Sequence, residues 1–107
     1  MTVAELQKKL SLEILVMPDG DREVTGGYTG DLLSWVMGRA QSGDMWVTIM
    51  TNSNIVAVAT MADVACIVLA EGVMPDSEVI EKAKAHGVNI LRTEKPAYSV
   101  CNEQILL

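Results

Sequence analysis

The run Ala65-Cys66-Ile67-Val68-Leu69-Ala70 carries no polar side chain. Successive side chains of a strand point to opposite faces of its sheet, so an unbroken apolar run needs cover on both faces. That is the condition of an interior strand in a parallel sheet with helices packed above and below it. A chain containing such a segment must supply those helices.

It does so in alternation with further strands. Thr2-Val3-Ala4-Glu5 has the spacing of a capping box and predicts a helix over Val3 to Lys9, with Val3, Leu6 and Leu10 on its apolar side. Leu12 to Met17 reads as a buried strand stopped by the turn Pro18-Asp19-Gly20. Arg22 to Thr25 is expected to form a short second strand, broken by Gly26-Gly27. From Asp31 to Ala40, the residues Leu32, Leu33, Val36, Met37 and Ala40 make one helical stripe. Asp31 stands at its start, facing the positive end of the helix dipole. Met45 to Met50 alternates as a strand, with Val47 and Ile49 on one side and Trp46 and Thr48 on the other. Ile55 to Ala62 fits two forms, a β-branched return strand or a helix capped by Ser53 or Asn54. Pro75, followed by Asp76, Ser77 and Glu78, opens a helix that Gly87 ends. Val88 to Leu91 is a short strand, and Pro96 opens a last helix with Ala97, Val100, Cys101 and Gln104 on one side. The alternation predicts one α/β domain over residues 1–107. Its architecture is a three-layer α/β/α sandwich around a mostly parallel sheet of about five short strands.

Composition narrows the function. Half of the residues are hydrophobic and 21% charged, which places the chain among folded domains. A mean hydropathy of +0.27 is high for so small a globule and implies apolar side chains left on the surface. A homodimer is therefore expected, with Trp35 and Trp46 as interface candidates because each stands off the main apolar side of its element. The net charge of −6 repels a phosphate backbone, and two Trp, two Tyr and no Phe give little for base stacking, so no nucleic-acid partner is expected. No stretch is long and apolar enough for a membrane span, and the amphipathic Met1–Leu10 segment is no secretory signal. The expected location is the cytoplasm. Cys66 and Cys101 each lie in an apolar stretch and are read as buried free thiols. Two distant cysteines cannot supply the four thiolates of an iron–sulfur site, so neither metal nor cofactor is expected.

The segments Arg22-Glu23-Val24-Thr25-Gly26-Gly27, Gly30-Asp31-Leu32-Leu33 and Gly43-Asp44, followed by Val68-Leu69-Ala70-Glu71-Gly72-Val73-Met74-Pro75 and Gly87-Val88-Asn89-Ile90-Leu91, together resemble the DRTGG domain family over nearly the whole chain. Related domains accompany HPr kinase, some phosphotransacetylases and some regulated pyrophosphatases. The resemblance implies a helix after the third strand and a regulatory or ligand-sensing role tied to energy or redox metabolism. It also implies an alternative role, as a scaffold or assembly factor for a larger complex of the hydrogenase type. The chain departs from the family pattern at Asn52-Ser53-Asn54, where an Asp-Arg pair is common, and at Ala70-Glu71-Gly72, where Thr-Gly-Gly is frequent.

Two segments are candidate ligand-binding elements. Thr25, Gly26 and Gly27, read as a turn leading into a helix, would allow close backbone approach to an anion. Thr51, Asn52, Ser53 and Asn54 place neutral hydrogen-bonding groups after a strand, at the expected carboxyl edge where open α/β sheets bind ligands. A small anionic or nucleotide-like ligand is the class these residues suit. His86 has no second ligand at metal-binding spacing and is expected to serve the end of its helix. Asp19, Asp21 and Glu23 read as solvated turn charges. No Ser, Cys or Thr stands with a base and orienter, so no catalytic residue is assigned and the chain is expected not to be an enzyme.

Overall fold

The computed structural model describes residues 1–102. Gln104, placed by the sequence on the face of the last helix, lies outside the described residues. The elements in chain order are α1 (Val3–Lys9), β1 (Glu13–Val16), β2 (Gly26–Thr29), α2 (Leu33–Arg39), β3 (Asp44–Thr48), α3 (Asn54–Ala62), β4 (Cys66–Leu69), α4 (Ser77–His86), β5 (Ile90–Arg92) and α5 (Ala97–Cys101). They form a three-layer α/β/α sandwich around a five-stranded sheet of order β1-β5-β4-β3-β2. Strands β2 to β5 are parallel, and β1 joins β5 antiparallel with an irregularity between Ile14 and Val16.

The topology fixes which helices share a face. From β2 through β5 each crossover moves one strand in the same direction, and such connections are right-handed. Helices α2, α3 and α4 must then lie on one side of the sheet. Val36, Ile55, Val56, Val58, Ala59, Val79 and Ala83 accordingly pack on Trp46, Ile67, Leu69 and Ile90. On the other side Val3, Leu6 and Leu10 of the first helical segment and Val100 of α5 cover Met45, Val47, Cys66, Val68 and Leu91. The alternation along β4 is complete: Cys66 and Val68 face one layer, Ile67 and Leu69 the other, and all four are fully buried. This is the double cover that the apolar run demands.

Several expectations change. Arg22 to Thr25 forms no strand; it contributes only an isolated bridge between Thr2 and Glu23, and the strand lies in Gly26–Thr29 instead. Glycine stands at the first position of this strand because a Cβ on Gly26 would lie 2.7 Å from Oδ1 of Asp44, a residue 5% exposed at the head of β3. Helix α2 begins at Leu33 rather than Asp31. The Asp31 carboxylate accepts instead from Thr48 Oγ1 at 2.8 Å and from the Ile49 amide at 3.0 Å, closing the end of β3. Only Val36 of the predicted stripe is fully buried, and Leu32 is exposed. Trp46 is no interface residue: it is wholly buried against the α2–α4 layer, and its Nε1 donates to the Gly30 carbonyl at 3.0 Å. Cys101 is exposed, contrary to its apolar surroundings in sequence, with its thiol 3.0 Å from the Thr29 hydroxyl. The ambiguous Ile55–Ala62 segment is helical.

Candidate functional site

Each parallel crossover returns the chain to the amino edge of the sheet, so the loops after β2, β3, β4 and β5 gather at the carboxyl edge. Gly30 and Asp31 follow β2, and Thr51 to Asn54 follow β3. Thr25 and Gly26 lie at the opposite edge. Gly26 is level with Asp44 at the head of β3 and Thr29 with Val47 near its end. The polar loop starts beyond Thr48, so roughly 13 Å of strand separates it from Gly26. The two halves expected to form one site are not brought together. Gly26 and Gly27 are extended strand residues, not a positive-φ turn. Thr25 contributes its hydroxyl to Ser42 O at 3.4 Å, which holds β2 to the α2–β3 connection.

Within the polar loop the four residues do different things. Asn52 Oδ1 accepts from the Asn54 amide at 2.9 Å, an Asx turn that starts α3. Ser53 occupies the N-cap position in a helical conformation (φ −65°, ψ −16°) and makes no side-chain cap bond. Its hydroxyl, like the exposed Asn54 side chain, is left for other partners. Both line a groove of about 360 Å³ between α3 and α4, with Val56, Ala57, Thr60 and Met61 from α3 and Lys82 and His86 from α4. Lys82 and His86 are four residues apart and so share one face of α4. The two helices run parallel, which places Ser53 and Asn54 at one end of the groove and Thr60, Met61 and His86 at the other. The floor is apolar and the rim carries two nitrogen donors. Its volume lies at the lower end of the range of small-molecule pockets, which begins at about 300 Å³.

Nothing local in the chain marks this groove as a unit, since Lys82 and His86 are distant from Ser53 along it. Their i, i+4 spacing was visible; that α4 lies beside α3 follows only from the strand order. Elsewhere on the molecule the polar clusters are structural. Arg92 donates to the Val73 and Gly72 carbonyls and to Glu13 and Glu94, all within 3.2 Å, and so pins the β4–α4 connection to β5. The Ser42 hydroxyl and the Arg22 guanidinium hold the Asp63 carboxyl below its ordinary value of 3.8. Burial pushes the Cys66 thiol up to about 12. Among the described residues no three His, Cys, Asp or Glu side chains gather as metal ligands. No described helix is long and apolar enough to cross a membrane.

Strands and helices alternate around a mostly parallel sheet, with the loops after the parallel strands at one sheet edge and a groove between adjacent crossover helices. The chain belongs to the DRTGG domain family, whose model matches residues 30–103. The fold is similar to that of the crystallised CBS and DRTGG domains from the regulatory region of Clostridium perfringens pyrophosphatase, complexed with the activator diadenosine tetraphosphate. The TM-score is 0.72 at 16% identity. The match covers 94% of this chain and 44% of that one, so the present chain spans less than half of that regulatory fragment. No curated protein matches the sequence.

Proposed function

We propose that this DRTGG domain senses a small anionic, nucleotide-like ligand in the α3–α4 groove. The observation that carries the reading is one groove with an apolar floor that has Ser53 and Asn54 at one end and Lys82 and His86 further along its rim. Val56, Ala57 and Met61 offer a surface for a flat ring, and the lysine and histidine supply donors for an anionic group. The first turn of α3 adds the positive end of its dipole. The complex of the pyrophosphatase regulatory region with diadenosine tetraphosphate makes adenine nucleotides and dinucleoside polyphosphates the first probes. Of the residues proposed from sequence, Ser53 and Asn54 contact the ligand, and Thr51 and Asn52 shape their loop. Gly26, Gly27 and Thr25 stand outside this groove.

Thermal-shift and calorimetric titration with these compounds test the reading. A ligand that binds only the native state at 100 times its Kd stabilises by about 2.7 kcal/mol. The shift is expected to disappear in Lys82→Glu, which reverses a rim charge, and in Ala57→Trp, which fills the floor; both positions are exposed on helices. No binding at millimolar concentration, or undiminished binding in both variants, sinks the reading.

We also propose that the domain works in the cytoplasm as a homodimer, without nucleic acid. Its net charge of −6 supports the last point. Leu32, Trp35 and Ile49 are 58, 54 and 43% exposed and cluster around Asp31, with the Arg39 guanidinium 3.6 Å from the centre of the Trp35 ring. An apolar cluster of this kind suits a symmetric interface. Sedimentation should give a dimer mass at micromolar concentration and a monomer mass for Trp35→Glu. A wild-type monomer at high concentration rejects the dimer.

A further inference from the structure

Strand β2 ends the sheet on one side, and among the described residues no strand pairs with its outer edge. The Gly30 amide donates to the Val47 carbonyl at 3.2 Å, which sets the phase of the ladder. In a parallel pair alternate residues bond to the neighbour, so Gly26 and Tyr28 point their backbone groups at β3. Gly27 and Thr29 point theirs outward, and both residues are exposed.

The two edges of the sheet differ in how they are guarded. At β1 the pairing is irregular between Ile14 and Val16, and Glu13 is tied to Arg92 at 2.7 Å. Bulges and charges are the devices that keep a sheet edge from recruiting further strands. Strand β2 reads Gly-Gly-Tyr-Thr, with no charge, no proline and a regular register. Beside it, on the α1/α5 side, Gly27, Tyr28, Thr29, Met45, Val47 and Cys101 line a slot of about 270 Å³. Its chemistry is mostly apolar, with the Thr29 hydroxyl 3.0 Å from the Cys101 thiol. An open strand edge with a side-chain slot next to it is the arrangement by which folded domains take extended peptides: main-chain bonds give affinity and the slot gives specificity.

We propose that the β2 edge binds an extended segment of a partner protein, with alternating apolar residues and basic residues at its ends. Charge selects this occupant over a second copy of the chain. Asp31 lies two residues past the strand and bonds only to the neutral donors Thr48 and Ile49 among the described residues. Glu23 lies three residues before it, 65% exposed and 3.3 Å from the N-terminal amine. Two copies paired antiparallel through the centre of β2 would set Asp31 of each against the Glu23 end of the other, a like-charge contact on a chain of net charge −6. A segment ending in lysines meets the same carboxylates favourably. One apolar side chain of that segment enters the slot, while its backbone bonds to Gly27 and Thr29.

The probe is a capped seven-residue peptide alternating threonine with valine or leucine and ending in lysine at both sides. A matched peptide ends in glutamates. Amide exchange on the purified chain should show at least tenfold protection of Gly27 and Thr29 with the lysine peptide, and at least tenfold weaker binding of the glutamate one. Gly27→Pro removes an outward donor without touching the β2–β3 ladder, as proline is tolerated at such edge positions. Cys101→Trp fills the slot. Both should abolish peptide binding while leaving any nucleotide shift of the α3–α4 groove intact, so the two proposals fail separately. The proposal is overturned if the amides of Gly27 and Thr29 stay unprotected at millimolar peptide, if they are already protected in the free chain, or if the glutamate peptide binds equally well.

Discussion

Cys66 and Cys101 have the same kind of sequence neighbourhood and opposite chemistry. Cys66 opens β4 with the first-helix layer over it, and burial alone raises its thiol to about 12. Thiolate is the reactive form, so this group is doubly protected, by access and by ionisation. Cys101 stands exposed beside Thr29. A disulfide-exchange reagent such as dithionitrobenzoate should therefore titrate one thiol in the native protein at pH 8 and two in guanidinium. Two fast-reacting thiols without denaturant would mean that β4 opens locally. The apolar neighbours Val100 and Ala97 hid this difference, because a five-residue helix turns a side chain outward with each partial turn. Trp46 is the converse case: alternation placed it correctly opposite Val47, but not that both faces of β3 are covered.

At the scale of the element, caps and strands were legible to different degrees. The capping box of α1 is present as the spacing predicts, with Thr2 Oγ1 accepting from Glu5 N at 3.2 Å and Glu5 Oε1 from Thr2 N at 2.8 Å. Asp76 likewise caps α4, and Gly87 ends it at φ 71°. These signals are local and survive without tertiary context. Strand β2 was misplaced because glycine weakens a strand by propensity, whereas here the close Asp44 carboxylate leaves no room for a Cβ. The start of α2 moved because Asp31 found partners on β3, a contact no local rule contains. The end of α3 carries a testable electrostatic link. Asp63, in a left-handed conformation at φ 59°, joins α3 to Ser42 and Arg22. Its carboxyl titrates below 3.8 in the folded protein, so on acidification the unfolded chain takes up the proton first. The stabilisation is thus full above the ordinary value and is lost as pH falls through the lower folded one. Asp63→Asn should lower the midpoint of unfolding at neutral pH and leave it nearly unchanged near pH 2. An equal loss at both pH values would assign the effect to hydrogen bonding alone.

For the molecule as a whole, the apolar run of β4 was enough to require a covered, mostly parallel sheet, and the alternation of elements supplied the layers. The antiparallel pairing of β1 with β5 was beyond reach, since nothing local to Glu13–Val16 names a partner 79 residues away at Arg92. The candidate groove shares this limit, being a product of strand order. The same long reach makes a kinetic prediction. Contacts of large sequence separation cost loop closure before they give any stability, so the β1–β5 side should form after the β3–β4 side. Leu12→Ala, at a position 3% exposed, should cost about 2 to 4 kcal/mol and act mainly by speeding unfolding. Ile67→Val should slow folding instead. Equal φ-values at the two sites would remove the order.

That order also bears on synthesis at the ribosome. Among the described residues β1 leaves before the other four strands, yet its one neighbour in the sheet is β5, the last of them. At about 5 to 20 residues per second, roughly 75 residues of further synthesis is a delay of several seconds. During that time the segment Leu12–Val16 has no sheet to join. Its charged Glu13 then serves a purpose before folding is complete: it disfavours pairing of a nascent apolar segment with a neighbouring chain on the same message.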